Sequence, residues 1–286
     1  MPKKLTVIVP IYNEQELIGG CLDALLLQTL EHDLYEVIVI DNNSTDDSLG
    51  VIEEFLVNNH LQYRFAGPAE EPGVIPPGEI LIVKSPRNGG YSYGNNLGIR
   101  MARVMKMFRY LLIINNDLVL KADFLEEMVN RFEDLHERCH TDRIALGATE
   151  LGEDGRVHHN GFHYLHILSG ITFASPFFPS FKYIVGSSIF TGIDAPLMDE
   201  SFFLYFDDTQ YSKILRRNGY ILESSPGSIF IHEVGGTANK GLQGQIFKGL
   251  RRFYFLNYPF LLPVVVPLRL ILIIWLRITT RDWHFN

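Results

Sequence analysis

A regular alternation of short apolar runs and segments with helical spacing fills the first half of this 286-residue chain. The pattern predicts strands at residues 5–11, 35–41, 79–84 and 110–115, and helices at residues 14–28, 44–58, 93–107 and 123–138. Ser44 is expected to cap the second helix, with Asp46 and Asp47 in its first turn. Each predicted strand is apolar throughout, which is typical of parallel strands covered on both faces. The chain is therefore predicted to form an α/β domain with a mostly parallel sheet flanked by helices.

The second half of the chain gives less regular signals. Residues 144–151 and 220–232 are strand-like, and residues 207–217 have a helical pattern. Residues 161–192 are rich in Phe, Ser, His and Pro and show only weak periodicity. No element is predicted for that stretch.

Charge is distributed unevenly along the chain. The formal net charge is −8, yet residues 240–286 contain seven lysines or arginines and one aspartate, which leaves 18 basic and 32 acidic side chains elsewhere. A nucleic-acid-binding protein is expected to carry its basic surface on the folded domain, so this distribution argues against one. It favours an enzyme whose basic, apolar tail meets an anionic membrane surface.

The C-terminal tail is strongly apolar but interrupted. Three prolines and two arginines break it, and its longest uncharged part, residues 253–268, has 16 residues, fewer than the about 20 that a spanning helix needs. We predict an apolar, helical, interfacial segment at residues 240–286 and a folded domain at residues 1–239. Packing against the domain or against a second copy of the chain is the alternative.

Cysteine content and the N-terminal residues indicate the compartment. Cys21 and Cys139 are too few for a disulfide framework or a four-ligand zinc site. The apolar run that follows Lys4 is too short for a signal peptide. We therefore expect a cytoplasmic protein, peripheral to the cytoplasmic face of the cell membrane.

Polar side chains stand where each predicted strand ends. Asp41 ends the second strand, Arg87 follows the third and Asp117 follows the fourth. Parallel α/β sheets bind ligands beyond these carboxyl ends. No dinucleotide-binding glycine run or P-loop motif follows the first strand, so those enzyme classes are disfavoured. Asp117 is a candidate ligand for Mg²⁺ or Mn²⁺, because these cations bind carboxylates together with substrate phosphates. The alternative role for Asp117 is to cap the N-terminus of a helix.

Two further places could carry chemistry. Asp207 and Asp208 follow an aromatic run at the start of a predicted helix, where one can cap the helix and the other act as a general base. The alternative is two first-turn acids that only complement the helix dipole. His232 ends a later strand and is a candidate metal or phosphate ligand, or a hydrogen-bonded loop residue. His158 and His159 are expected at the surface.

Four motifs, in this order along the chain, resemble those of family 2 glycosyltransferases with the GT-A fold. They are Val9-Pro10-Ile11-Tyr12-Asn13-Glu14, Val39-Ile40-Asp41-Asn42-Asn43-Ser44-Thr45-Asp46, Arg87-Asn88-Gly89-Gly90-Tyr91-Ser92-Tyr93-Gly94-Asn95-Asn96-Leu97-Gly98 and Asn115-Asn116-Asp117. The resemblance covers about residues 5–235. It implies a Rossmann-like GT-A fold, with residues 1–120 as the nucleotide-binding half and residues 121–239 as the acceptor half. It also implies donor contacts from Pro10, Tyr12, Glu14, Asp41, Asn43, Arg87, Asn88, Gly94, Asn95 and Asn116.

The resemblance further implies an inverting, metal-dependent hexosyltransferase. Asp117 corresponds to the metal-binding acid of the Asp-x-Asp motif, and Asn115 replaces the first aspartate of that motif in this chain. His232 is expected to be a second ligand for Mg²⁺ or Mn²⁺. Asp208 is expected to act as the general base, with Asp207 orienting the acceptor or the metal.

The second half of the chain is similar to galactofuranosyl- and rhamnosyltransferases. This similarity implies UDP-galactofuranose or another UDP-sugar as donor, with dTDP-rhamnose as the alternative. The acceptor is then a hydroxyl of a growing, lipid-linked cell-surface polysaccharide, such as a cell-wall polymer or an O-antigen.

Two other classes of function stay open. A sugar nucleotidyltransferase also uses such a sheet and a metal, but it would carry a glycine-rich loop with a Lys or Arg where this chain has Tyr12-Asn13-Glu14. A non-catalytic nucleotide-sugar binder is suggested by Asn115, which replaces an acid.

Overall fold

The computed structural model of the protein describes residues 5–68, 70, 73, 76, 78–105, 108–176, 178–232 and 243–279. Its strands are β1 (Leu5–Ile11), β2 (Tyr35–Asp41), β3 (Tyr63–Ala66), β4 (Ile80–Lys84), β5 (Tyr110–Ile114), β6 (Leu118–Leu120), β7 (Ile144–Leu151), β8 (Val157–Asn160), β9 (Phe162–His166), β10 (Thr172–Phe173), β11 (Ser180–Ile184), β12 (Ser188–Gly192) and β13 (Ile221–His232). Its α-helices are α1 (Ile18–Leu26), α2 (Ser48–Asn58), α3 (Tyr91–Met105), α4 (Phe124–Cys139), α5 (Asp207–Arg217), α6 (Gln243–Asn257) and α7 (Leu262–Thr279).

The main sheet has the strand order β3-β4-β2-β1-β5-β12-β7-β13-β6, with β8 added to β7. The strands from β3 to β5 in this order all run parallel, and β13 is parallel to β7. Only β12, β6 and β8 run antiparallel to their neighbours in this sheet, among the residues that the structure describes. The predicted α/β fold with a mostly parallel sheet is confirmed.

Burial on both faces explains why the central strands are apolar throughout. Every residue of β1, β2 and β5 is buried. Side chains alternate between the two faces of a strand, so Val7 and Val9 pack with α1, α2 and α4, whereas Ile8 packs on the other side with α3 and α5. Burying each of these side chains contributes about 1.5–3 kcal/mol, and the parallel half of the sheet is therefore the most strongly specified part of the fold.

The expected cap of α2 is wrong. The helix begins at Ser48 with Asp47 at its N-cap position, and Ser44 instead accepts a hydrogen bond from the Asn13 amide at 3.0 Å. Asp46 accepts a hydrogen bond from the Ser48 amide at 3.1 Å. Residues 44–47 therefore form a loop that ties β2 to the segment after β1.

Residues 161–192, for which no element is predicted, form four strands. β10, β9 and β11 make a small antiparallel sheet, and β12 enters the main sheet between β5 and β7. The three strands of the small sheet are exposed or half-buried at several positions, so they lack the continuous apolar signal that marks β1 and β5. β12 is buried throughout, but it includes Ser188, Thr191 and Gly192 among its five residues.

The C-terminal helices pack on the small sheet. Leu250, Phe253, Tyr254 and Val265 are buried in one cluster with side chains of the rest of the chain, including Leu165, Tyr183, Phe202 and Phe206. Within the described ranges, no helix has both the length and the hydrophobicity needed to cross a membrane. The predicted boundary between residues 239 and 240 lies outside the described residues, as does Lys4.

Candidate active site

A cavity of about 520 Å³ opens at the edge of the main sheet where β5 and β13 end. Asn115 and His232 line it from these two strands, and Asp207 and Asp208 line it from the start of α5. Because β12 runs antiparallel to β5, Ser187 reaches the same edge, where its carbonyl accepts a hydrogen bond from the Asn115 amide at 3.0 Å. The acid pair and the histidine therefore share one cavity at the ligand-binding edge of the sheet.

A second cavity, of about 840 Å³, lies at the opposite edge, where β5, β7 and β13 begin. Arg109, Asp142, Arg143 and Tyr220 are among the residues that line it. It is the larger of the two, but ligands of parallel α/β sheets bind at the carboxyl ends of the strands. The smaller cavity is therefore the candidate active site.

The backbone is strained just before the acid pair. Tyr205 and Phe206 have φ angles of +67° and +63°, a left-handed conformation that costs a non-glycine residue about 1–2 kcal/mol. Such strain persists where surrounding structure enforces it, often at functional sites. Gly249 of α6 packs so closely on the Tyr205 carbonyl that a Cβ at position 249 would lie 2.4 Å from its oxygen. The C-terminal helix α6 thus supports the turn that presents the two acids.

The two acids differ in exposure and in hydrogen bonding. Asp207 is only 7% exposed, and burial together with the neighbouring charge of Asp208 raises its pKa well above the ordinary value. Burial also raises the pKa of Asp208, although hydrogen bonds to this carboxylate act in the opposite direction. They come from the amide of Thr209 at 2.6 Å and the amide of Gly186 at 3.2 Å. The pair therefore binds a proton more tightly than isolated carboxylates do.

Asp117, His232 and Glu150 form a chain of ion-pair contacts beside the cavity. His232 Nε2 lies 3.4 Å from Asp117 Oδ1, and His232 Nδ1 lies 3.2 Å from Glu150 Oε2. Burial alone would lower the pKa of His232, but its contacts with the two carboxylates outweigh burial and raise it to about 10. Glu150 therefore orients the histidine ring so that its other nitrogen faces Asp117, as carboxylates do behind metal-binding histidines.

The same residues fit a divalent cation. Asp117 Oδ1 is buried and accepts no hydrogen bond of good geometry within the described part of the chain. Mg²⁺ and Mn²⁺ sites commonly use one or two protein ligands and complete their coordination with substrate phosphates and water. Asp117 and His232 could supply two such ligands, the histidine by releasing its Nε2 proton as the cation binds. No group of three or more candidate ligands exists among the described residues. An incomplete protein ligand set of this kind suits a cation that arrives with a phosphate-bearing substrate.

Tyr91 connects the two parts of the site, a role that is not among the predictions from the sequence. Its hydroxyl donates a hydrogen bond to the Gly186 carbonyl. Burial raises its pKa well above the ordinary value, and the charges of Asp207, Asp208 and Asp117 raise it further. The tyrosine thus lies within electrostatic reach of both the acid pair and the predicted metal ligand. Tyr91 belongs to the third of the motifs that resemble family 2 glycosyltransferases, and this is the sequence feature that could have identified it as a site residue.

The expected surface position of His159 is wrong. β8 pairs with β7 so that His159 lies opposite Glu150, and its Nε2 is 2.9 Å from Glu150 Oε2 with only 5% of the residue exposed. His158 is exposed, as expected, and its Nδ1 is 3.2 Å from Glu150 Oε1. Burial alone would raise the pKa of Glu150, but its contacts with His159 and His232 outweigh burial and lower that pKa well below its usual range. Nothing in the sequence marks Glu150, because its role arises from strand pairing.

The loops that follow β1 and β2 are tied together. The Thr45 amide donates to Asn13 Oδ1 at 2.8 Å, and Asp41, which is buried, accepts a hydrogen bond from the Ser44 amide at 2.8 Å. These contacts hold the residues expected to bind the donor at one edge of the sheet. They are Pro10, Tyr12, Glu14, Asp41 and Asn43.

Pro10 is buried within β1, whereas Tyr12 is 38% exposed. Glu14 is partly buried, which raises its pKa. The amide of Asn116 lowers that pKa and the charge of Asp117 raises it. Glu14 therefore lies near the predicted metal ligand, so the β1 loop adjoins the candidate cation site.

Arg87 and Asn88 lie in the loop between β4 and α3. Arg87 is exposed, as is Asn43, and its guanidinium lies 4.9 Å from the centre of the Tyr93 ring. Asn88 accepts a hydrogen bond from the Gly90 amide at 3.0 Å. None of the residues that the resemblance implies for donor binding is among the described residues that line the 520 Å³ cavity. Their contact with the donor stays a prediction, and it would take place on a surface that adjoins the cavity.

Gly94 and Asn95 are buried inside α3. A Cβ on Gly94 would lie 2.4 Å from Asn42 Nδ2, so glycine allows the helix to approach the end of β2. Asn95 donates a hydrogen bond to the Tyr91 carbonyl at 3.1 Å, and Asn116 is 8% exposed. Both α3 residues serve helix packing in this structure, and their contact with a donor stays a prediction.

The mostly parallel sheet, the flanking helices and the polar carboxyl edge define a protein of the GT-A class of α/β folds. The chain belongs to the family 2 glycosyltransferases, because the family model described as glycosyl transferase family 2 matches residues 6–193.

One curated relative is the poly(ribitol-phosphate) beta-glucosyltransferase of Bacillus spizizenii. It is 40% identical to this chain over 127 residues, which is 44% of this chain. The chain spans 17% of the length of that relative.

Two solved structures illustrate the likeness of fold. The mannosyltransferase PcManGT from Pyrobaculum calidifontis, in complex with GDP-Man and Mn²⁺, superposes with a TM-score of 0.59 and 14% identity, covering 98% of this chain and 76% of the other. TarS of S. aureus, residues 1–349 in complex with UDP, superposes with a TM-score of 0.53 and 19% identity, covering 87% of this chain and 63% of the other. At these identities the likeness concerns the fold alone.

Proposed function

We propose that this chain is the catalytic part of a metal-dependent, inverting hexosyltransferase that transfers a sugar from a UDP-sugar to a hydroxyl of a cell-surface polymer. The observation that carries the proposal is the shared cavity, which Asp208 and His232 both line and which Asp117 adjoins through His232. The name of the Bacillus relative supports a cell-wall polymer as acceptor, and UDP in the TarS complex supports a UDP-sugar as donor.

Asp208 is the residue that we assign to proton removal. An acceptor hydroxyl is a poor nucleophile at neutral pH, so a carboxylate must take its proton as the new bond forms. Asp208 is more exposed than Asp207, and the amides of Gly186 and Thr209 hold its orientation. Asp207 would orient the acceptor. A single displacement then inverts the anomeric carbon, and the enzyme forms no covalent bond to the sugar.

Departure of the nucleoside diphosphate requires positive charge near its phosphates. Asp117 and His232 would hold Mg²⁺ or Mn²⁺, which when bound stabilises the negative charge of the leaving diphosphate. Tyr12, Glu14 and Arg87 lie on the loops that would contact the nucleotide, and Asp41 would read the pyrimidine edge. The cation would hold the donor phosphates beside the same cavity that Asp208, the proposed general base, lines.

The donor sugar is the finer part of the proposal. The similarity of the second half to galactofuranosyltransferases favours UDP-galactofuranose, with dTDP-rhamnose as the alternative. The relative from Bacillus, a glucosyltransferase by name, adds UDP-glucose to the candidates. The acceptor would be a growing, lipid-linked polysaccharide or a polyol phosphate polymer.

The decisive experiment measures nucleotide products from a panel of sugar nucleotides. The purified protein is incubated with Mn²⁺, acceptor polymer and each of UDP-galactofuranose, UDP-glucose, UDP-N-acetylglucosamine, dTDP-rhamnose and GDP-mannose. Glycosyl transfer releases the nucleoside diphosphate, whereas a nucleotidyltransferase makes pyrophosphate and a mere binder makes neither product. Asp208→Asn should lose about 10²–10⁴-fold in kcat while it still binds UDP, since a general base contributes about that much. Full turnover in this variant would remove Asp208 from the role.

The C-terminal helices would place the enzyme at the cytoplasmic face of the membrane. Phe260 is 93% exposed and Phe255 is 60% exposed, and Arg251 and Arg252 are exposed on α6. Apolar and basic side chains together bind anionic interfaces. We propose that residues 240–286 attach the domain of residues 1–239 peripherally to the membrane.

A substitution tests this attachment without disturbing the core. Phe260→Glu should reduce sedimentation with phosphatidylglycerol vesicles, whereas the matched variant Leu27→Glu, at a residue of 73% exposure, should bind as the parent does. Equal vesicle binding by all three proteins would instead direct attention to packing or to self-association of α6 and α7.

A further inference from the structure

Arg269 lines the candidate active site and has no role in the reaction described above. It lies on α7, a helix of mainly apolar residues, and reaches the 520 Å³ cavity together with Ile246 of α6. The side chain is partly buried. Among the residues that the structure describes, it forms no ion pair with a carboxylate. Burial lowers the pKa of its guanidinium, and the nearby Tyr254 acts in the opposite direction. Partial burial of an arginine without a counter-ion costs free energy, and a bound anion would offset that cost.

The other basic side chains of the described cavity wall are not available to an anion. His232 is engaged with Asp117 and Glu150. Burial lowers the pKa of His163 to about 4, so this imidazole is neutral at neutral pH. Arg269 is therefore the uncommitted positive charge on the wall that the structure describes.

The wall that carries Arg269 is rigidly packed. The Tyr254 hydroxyl donates a hydrogen bond to the Ile167 carbonyl at 2.7 Å. Gly170 lies under Leu250 and Val265, where a Cβ would come within 2.8 Å and 3.1 Å of their side chains. The helices are thus held on the turn between β9 and β10. Arg269 comes from this helical wall, whereas Asn115 and His232 come from the sheet edge, where the donor phosphates are proposed to bind.

We propose that Arg269 binds a phosphate ester carried by the acceptor and so positions the acceptor hydroxyl at Asp208. This inference rests on the proposed function. The acid pair repels an anionic acceptor, and a cation on the facing helices offsets that repulsion. The planar guanidinium donates two parallel hydrogen bonds to a phosphate, which fixes orientation as well as position. The phosphate could belong to the polymer itself or to its lipid diphosphate anchor.

Binding and turnover are measured separately in the full chain. A soluble glycerol phosphate trimer and a farnesyl diphosphate-linked sugar in detergent serve as the two probes, and UDP with Mn²⁺ serves as the donor-side probe. The variants are Arg269→Gln and Arg269→Lys, with Arg138→Gln, at an exposed arginine of α4 away from the cavity, as the matched control. Calorimetry gives the affinity for each probe, and UDP release gives kcat and KM where the probe is an acceptor.

Arg269→Gln should weaken binding of one of the two phosphate probes by about 10–100-fold, because a charged hydrogen bond of this kind is lost. Arg269→Lys should recover part of that loss. Arg138→Gln should bind both probes as the parent does, and the affinity for UDP should be unchanged in all variants. The probe that responds identifies the source of the phosphate. Equal probe binding by the parent and Arg269→Gln, or weakened UDP binding alone, would overturn the inference. Absence of UDP release from any donor would refute the proposed function and leave the binding comparison to decide the role of Arg269.

Discussion

We expect the raised pKa of Asp207 to make the folded protein less stable as the pH rises, and Asp207→Asn should remove this pH dependence. Burial and the charge of Asp208 raise the pKa of Asp207, so the folded protein holds a proton that the unfolded chain has already released. A carboxyl with a raised folded-state pKa contributes full stability below its ordinary pKa of 3.8. That stability is lost as the pH rises toward the folded-state value. Asparagine does not titrate.

The magnitude follows from proton linkage. Each proton bound only by the folded state changes the free energy of unfolding by about 1.4 kcal/mol per pH unit. If Asp207 holds one proton from pH 5 to pH 7 and Asp208 titrates alike in both proteins, the parent loses about 3 kcal/mol over this range that Asp207→Asn keeps. Any cost of placing an amide in the carboxylate's hydrogen bonds is the same at both pH values and cancels in the difference.

Urea unfolding at pH 5, 6 and 7 measures this difference directly. His232 also has a raised pKa, so its contribution falls above its ordinary pKa of 6.5, but it does so in both proteins. Asp23→Asn, at an exposed position on α1, is the matched control and should follow the parent. The reasoning fails if Asp207→Asn follows the parent's pH dependence, or if it loses stability relative to the parent between pH 5 and pH 7.

Other perturbations test the supporting structure. Gly249→Ala should cost about 1–3 kcal/mol because its methyl group meets the Tyr205 carbonyl. In Gly244→Ala, on the same helix, the new methyl group meets no atom of the described residues within 4 Å, and this variant should gain about 0.5–1 kcal/mol. Equal shifts in Tm would contradict this packing. Glu150→Gln should weaken Mn²⁺ binding in the presence of UDP by about 10–100-fold, because His232 loses its orienting carboxylate, and unchanged calorimetric affinity would exclude that role. EDTA should abolish sugar transfer and Mg²⁺ or Mn²⁺ should restore it, while full activity in chelator would exclude a required cation.

Helix starts near the site illustrate a limit of sequence patterns. The first helix begins at Ile18, not at residue 14, because the amides of Glu14 and Gln15 donate hydrogen bonds to Ser48 and Asp46 instead of entering a helix. The helix that carries the acid pair begins at Asp207 as expected. Apolar spacing marks the body of a helix, whereas its first residues follow whichever partner their free amides find.

The amino-acid sequence alone determined the parallel strands β1, β2, β4 and β5 and the residue types at their carboxyl ends, because strands buried on both faces must be apolar along their length. It did not predict the parallel edge strand β3, most of which is not buried. Folding decided which distant groups meet at these carboxyl ends. The pairing of β8 with β7 placed His159 against Glu150, and the packing of α6 and α7 on the small sheet brought Arg269 to the cavity. Such contacts join residues that are far apart in the chain and lie on partly exposed strands and helices. The local sequence pattern of such elements does not predict which distant residues they contact.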